Sequence, residues 1–242
     1  MKCIISLGGI VCEVAFPAKG KGYIDKITRN FVLNDEKPAY RPEFKFVIDI
    51  PTKAKRAYIS NSTARLFSVA VPSNSFFNMN TAMGTFCSFV LARTKGFLVH
   101  ACLIVKDDNA YVFAGPSGSG KSTIARNAKN CLVVSDDTCG IRKIRGKWYA
   151  FGVPMLQGSR KPALTDIAPL GGIFLIRKGG RNKILNETAP QKAFHGIMKN
   201  VYIPFRNKTL KRKIFENALS ATAHVRPGIL IFEKHLDVTT LL

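Results

Sequence analysis

The chain has 242 residues, 46% of them hydrophobic, and its 37 Lys and Arg against 15 Asp and Glu give a formal net charge of +22. That apolar content excludes an intrinsically disordered chain, and the length suits one large domain or two small ones with ample core. Six scattered cysteines, with no C-x-x-C pair and no histidine at zinc spacing, exclude a disulfide scaffold or zinc ribbon and fit a reducing, cytoplasmic setting.

The first residues, Met1 to Ala18, are apolar enough to suggest a signal peptide, but Gly8-Gly9 divides the run and Glu13 interrupts it. A β-hairpin turning on the two glycines explains the pattern better. No stretch has the length and continuity of a membrane span. Residues 45–50, 56–59 and 66–71 read as strands ended by Pro, Gly or Asn, which predicts a small sheet. Ser73 then caps a helix to Ala92, on which Phe76, Met79, Met83, Phe86, Phe89 and Val90 recur at helical spacing as a core stripe. Thr94-Lys95-Gly96 ends it. The division expected is a β-rich region, 1–95, followed by a larger α/β region, 96–242.

The second region opens with a strand at 97–105, whose one polar interruption is His100, and a turn at 106–109. Tyr111 to Ala114 is a strand, and a helix from Ser122 to Asn130 follows a glycine-rich loop. Cys131 to Asp137 is a strand ending in two carboxylates. A hairpin spans 140–151, strands follow at 172–177 and 183–185, helices at 189–202 (Thr188 capping) and 209–223, and a last strand at 229–232.

The loop is Gly115, Pro116, Ser117, Gly118, Ser119, Gly120, Lys121, Ser122, Thr123, which matches G-x-x-x-x-G-K-[ST] with a strand before it and a helix after it. Each residue type has a task. Glycines let the backbone wrap phosphate oxygens with its N–H groups inward, Lys121 brings a point charge to the outer phosphates, and the Ser122 hydroxyl is placed to ligate Mg²⁺. The loop is expected to bind the phosphates of a nucleotide together with Mg²⁺.

Three more polar side chains converge on that loop in an α/β sheet, where ligands bind beyond the carboxyl ends of strands. Asp136 and Asp137 lie 15 and 16 positions after Lys121, and His100 is on the strand before the loop strand. One carboxylate can hold the metal while the other takes the proton of an attacking hydroxyl. The reading adopted makes Asp136 the general base, Asp137 the metal contact with Ser122, and His100 a supporting group. His195, His224 and His235 have no such company.

His100, the loop, and Val-Val-Ser-Asp-Asp-Thr-Cys-Gly-Ile-Arg at 133–142 together resemble the kinase core of the HPr kinase/phosphorylase family. The nucleotide-binding fold of that family is shared with ATP-dependent phosphoenolpyruvate carboxykinase, whose Gly-Asp-Asp motif is similar. Trp148-Tyr-Ala-Phe-Gly-Val-Pro and Leu170-Gly-Gly-Ile-Phe-Leu-Ile-Arg-Lys further resemble the small HPr-kinase-like proteins. The resemblance implies an α/β P-loop kinase core preceded by a small β-rich region, and ATP-dependent phosphorylation of a hydroxyl on a protein, a peptide or a small molecule. The family's downstream acidic residue and its Arg-containing phosphorolysis motif have no clear counterpart here, so phosphorolysis, HPr as acceptor and a hexameric ring are not carried over.

A second class of function is also open. Arg177 to Lys213 holds eleven basic residues and one acid, Glu187. A field of that sign attracts polyanions, and a nucleotide-responsive binding module, or degenerate kinase, with a basic surface would use it. The Leu-Ser-Gly-Gly signature of a transport ATPase is absent.

Overall fold

The computed structural model describes residues 1–33, 41–51, 55, 57–157, 163–186, 190–225 and 227–242. Its first sheet uses β1 (Lys2–Leu7), β2 (Ile10–Ala15), β3 (Phe44–Asp49), β4 (Tyr58–Ser62) and β5 (Leu66–Ala70) in the order β1-β2-β3-β5-β4. Leu7 faces Ile10 across a two-residue turn in which Gly8 and Gly9 have φ of +56° and +82°. Those values lie in the left-handed region, which is why the glycine pair makes a hairpin there. The short helix α1 (Lys21–Thr28) follows.

Helix α2 (Phe76–Arg93) is the centre of the packing. Its cap is Ser75, whose hydroxyl accepts from the Asn78 N–H at 3.3 Å; the expected cap, Ser73, instead accepts from the Asn78 side chain at 2.8 Å. Strand β3 alternates Phe44, Phe46 and Ile48 inward, as period-2 burial requires. Phe86 stacks on Phe46 and Phe89 on Phe67, each pair with ring centroids 4.4 Å apart. Met79, Met83, Phe86, Phe89 and Val90 are fully buried, but Phe76, in the first turn of α2, is 53% exposed.

The second sheet contains β6 (Gly96–Val99), β7 (Ala101–Lys106), β8 (Asn109–Ala114), β9 (Leu132–Ser135), β10 (Cys139–Ile144), β11 (Lys147–Gly152), β12 (Ile167–Lys178), β13 (Lys183–Asn186) and β14 (Gly228–Phe232). Its order is β6-β10-β11-β12-β8-β7-β9, with β14 beside β12 and β13 beside β14. Three helices complete the chain: α3 (Lys121–Asn127), α4 (Pro190–Met198) and α5 (Lys208–Val225). The chain is therefore a mixed α/β structure with two sheets. One apolar cluster includes residues of both, with α2 between them.

Three departures from the expected elements shape the site. The strand expected at 97–105 is broken at His100: β6 pairs with β10, while β7 pairs with β8 and β9. Helix α4 stops at Met198, short of Tyr202, because Val201 bridges to Val99 and the Tyr202 N–H donates to Leu98 O at 2.9 Å. Partnership with a strand edge outweighs helix continuation there. Helix α3 ends at Asn127 rather than Asn130, since Ala128 is extended and Asn130 has φ of +51°. The expected cap Thr188 lies outside the described residues.

Candidate active site

Strands β8 and β9 both run antiparallel to β7, which lies between them, so they point the same way and end at the same edge. Ala101 faces Ala114, and Leu103 faces Ser135. That register alone brings together the residue before Ala101, the loop after Ala114 and the turn after Ser135. His100, residues 115–122 and the two aspartates therefore share one rim of the sheet.

The 115–122 loop turns at Gly118 and Gly120, which have φ of +77° and +113°. At Gly120 a Cβ would also strike the Phe232 ring, so position 120 requires glycine twice over. Lys121 is 6% exposed, and its Nζ donates to Gly115 O at 2.7 Å and to Pro116 O at 3.0 Å. Burial lowers the ammonium below its ordinary pKa, and the Asp137 carboxylate opposes that shift. Pro116, Ser117 and Gly118 form the exposed tip, and Ser122 is exposed on the first turn of α3.

Asp136 and Asp137 sit in the bend between β9 and β10 rather than on the strand. A buried polar net sets that bend. The Gln157 Oε1 accepts from the Asp137 and Thr138 N–H groups at 3.2 and 3.0 Å and lies 2.6 Å from Ser135 Oγ. The Gln157 Nε2 donates to Met155 O at 3.1 Å, and Ser135 Oγ accepts from Thr138 N at 3.1 Å. Gln157 and Ser135 are 5% and 3% exposed, so the net lies in the low-dielectric interior, where satisfied polar groups rigidify their surroundings.

His100 is held from both sides. Its backbone N–H donates to Asn200 O at 2.7 Å, which the early end of α4 makes available. Its Nδ1 lies 3.2 Å from Asp137 Oδ1, with both side chains about one-third exposed. Burial pushes the imidazole below its ordinary pKa; the Asp137 charge pulls it up, and Lys121 pushes it down. The structure thus gathers His100, Lys121 and Asp137 within mutual electrostatic reach. The Asp136 Oδ1 is buried, and the Asp136 charge is among the groups that raise the Cys102 thiol on β7, after burial itself.

No protein-family model matches the chain, and no curated protein does. Among solved structures it is similar to the HPr(Ser) kinase/phosphatase from Coxiella burnetii, with a TM-score of 0.26 and 12% identity over 52% of this chain and 98% of that one. A superposition that loose decides nothing about chemistry, which rests on the rim just described.

Sequence reasoning missed Gln157, Ser135 and Asn80. Asn80, on α2, accepts at its Oδ1 from the Tyr23 hydroxyl at 2.6 Å and from Leu156 N–H at 2.8 Å, tying the segment that carries Gln157 to the helix. The Asn80 links to Leu156 and Tyr23 join positions 76 and 57 residues apart, and no local spacing announces them. Among the described residues no group of three or more His, Cys, Asp or Glu side chains forms a metal cage. Ser122 and the two carboxylates are hard oxygen donors, which suit Mg²⁺; that ion binds through one or two carboxylates and completes its shell with phosphates and water. No helix among the described residues is long and apolar enough to cross a membrane.

Proposed function

We propose that the chain is an ATP-dependent kinase that transfers the γ-phosphoryl group to a hydroxyl, using residues 115–123 as a phosphate loop. The observation that carries this reading is the His100–Asp137 contact beside the buried Lys121, at the rim where the loop opens. Phosphoryl transfer asks a protein mainly for positioning, charge stabilisation and a base for the hydroxyl proton. The rim has a group for each.

Lys121 leaves its two carbonyl partners to meet phosphate oxygens, a charge-assisted contact about twice as strong as a neutral one. Mg²⁺, when bound, offsets negative charge on the phosphates. Ser122 and Asp136 would hold it. Asp137 accepts the hydroxyl proton while the new oxygen–phosphorus bond forms and the bond to the β–γ bridging oxygen breaks, ADP leaving with that oxygen. Neutral His100 orients the Asp137 carboxylate through Nδ1. These roles exchange the two aspartates relative to the sequence-based assignment, because Asp137 is the one that touches His100 and faces outward.

Labelled ATP offered to hydroxyl acceptors tests the reading. Asp137→Asn should retain Mg-ATP binding and lose transfer by about 10² or more, the usual scale for a general base. Asp136→Asn should raise the Mg²⁺ requirement. Wild-type rates in both variants would make the carboxylates structural and sink the mechanism.

A basic polyanion-binding surface is the second reading. It is favoured by the exposure of the run from Arg177 onward, where Arg177, Lys178, Arg181, Lys183, Arg206 and Lys211 all reach solvent.

A further inference from the structure

A pocket of about 730 Å³ opens on Asp137, between the first turn of α2 and the segment carrying Gln157. No residue of the 115–123 loop lines it; Asp137 is the group it shares with the rim. Its walls are mostly apolar: Phe76, Phe77, Met155 and Leu156. Phe77 is 80% exposed and Phe76 is 53% exposed. Two adjacent phenylalanines in water beside a carboxylate need a reason, because exposed apolar patches rimmed by polar groups mark binding surfaces.

The polar groups in the pocket narrow the ligand. Asn80 is committed to Tyr23 and Leu156, Gln157 to the aspartate bend, and Thr81 donates to Phe77 O at 2.9 Å. Two charges remain to meet a ligand. Asp137 is one. The other is Lys26 of α1, whose ammonium rests over the Phe76 ring 5.5 Å from its centroid and forms no ion pair among the described residues. Asp25 is the acidic neighbour on its own helix.

We infer that this pocket receives the phosphoryl acceptor, and that the acceptor is an acidic, apolar hydroxyl compound of about tripeptide size. Its hydroxyl meets Asp137, its apolar group packs on Phe76, Phe77 and Leu156, and its negative charge answers Lys26. The size fits: small-ligand pockets span roughly 300–1,000 Å³ and combine apolar walls with a few polar groups that fix orientation. The wall is also preformed, since Asn80 binds the 155–157 segment to α2 and a Cβ at Gly84 would press on the Met155 methyl. This inference rests on the kinase reading for the word acceptor, but the pocket's ligand chemistry is testable without nucleotide.

The probes are four peptides: acetyl-Phe-Ser-Glu-amide, and the same peptide with Gly for Phe, with Gln for Glu, and with both. Their affinities for the full chain are read by calorimetry without nucleotide, and phosphate incorporation is read separately with labelled Mg-ATP. The Phe-Ser-Glu peptide should bind at least about tenfold tighter than the doubly changed one. Phe77→Asp should erase the preference for Phe, and Lys26→Glu the preference for Glu. Both side chains are exposed, so neither change disturbs the fold. Four equal affinities, no binding by any peptide, or preferences that survive both variants would each overturn the inference. If the preferences appear and vanish as expected while no phosphate is incorporated, the pocket's ligand chemistry stands and the kinase reading falls. If phosphate enters all four peptides with one kcat/KM, the kinase reading stands and the pocket assignment falls.

Discussion

Replacing Gln157 by Met keeps the volume of a side chain that is 5% exposed while removing every hydrogen bond it makes. Its Oε1 accepts from two backbone N–H groups at 3.0 and 3.2 Å and lies 2.6 Å from Ser135 Oγ, and its Nε2 donates at 3.1 Å. A net value of about 1 kcal/mol per bond sets a ceiling near 4 kcal/mol. Ser135 Oγ remains as an alternative acceptor for Thr138 N at 3.1 Å and for Asp137 N at 3.4 Å, which recovers part of it. The expected loss is about 2–3 kcal/mol. Urea unfolding of wild type and Gln157→Met measures it: with a slope of roughly 2–3 kcal/mol per molar, the midpoint should fall by about 1 M. The same variant should lose phosphoryl transfer, because Asp137 is aimed through this net, while Mg-ATP affinity holds. A midpoint shift under about 0.2 M, with transfer intact, would refute the claim that Gln157 sets the aspartate bend.

Lys121→Ala should weaken Mg-ATP binding by about 2 kcal/mol or more, since it deletes a charge-assisted phosphate contact; calorimetry giving equal affinities would count against the loop's role. For pH, the folded His100 is lowered from its ordinary value of 6.5, chiefly by burial. The unfolded chain therefore binds the proton first as pH falls, and stability at that site is full above 6.5 and declines below it. Urea midpoints between pH 7.5 and 5.5 should show that decline in wild type and a flatter profile in His100→Gln; parallel profiles would remove the imidazole as its source. For the basic surface, binding to duplex DNA should weaken with salt at a log–log slope near −0.9 per phosphate neutralised, and binding insensitive to salt would dismiss the second reading.

Local chemistry alone made several features readable. The Gly8-Gly9 hairpin follows from two residues that tolerate positive φ, and the strand–loop–helix from Tyr111 to Asn127 follows from an apolar run, spaced glycines and Lys121. The buried stripe of α2 follows from helical periodicity, except at Phe76, where the first turn of the helix leaves the ring half exposed and no local pattern marks how far the tertiary cover extends. Tertiary structure decided the rest. That His100 breaks its strand, that α4 yields Val201 and Tyr202 to the β6 edge, and that Asp137 rather than Asp136 meets the imidazole all depend on which strands become neighbours. Gln157 and Asn80 were invisible for the same reason. A buried amide side chain is recognised by the backbone groups it satisfies, and those groups arrive from distant parts of the chain only when the two sheets close around α2.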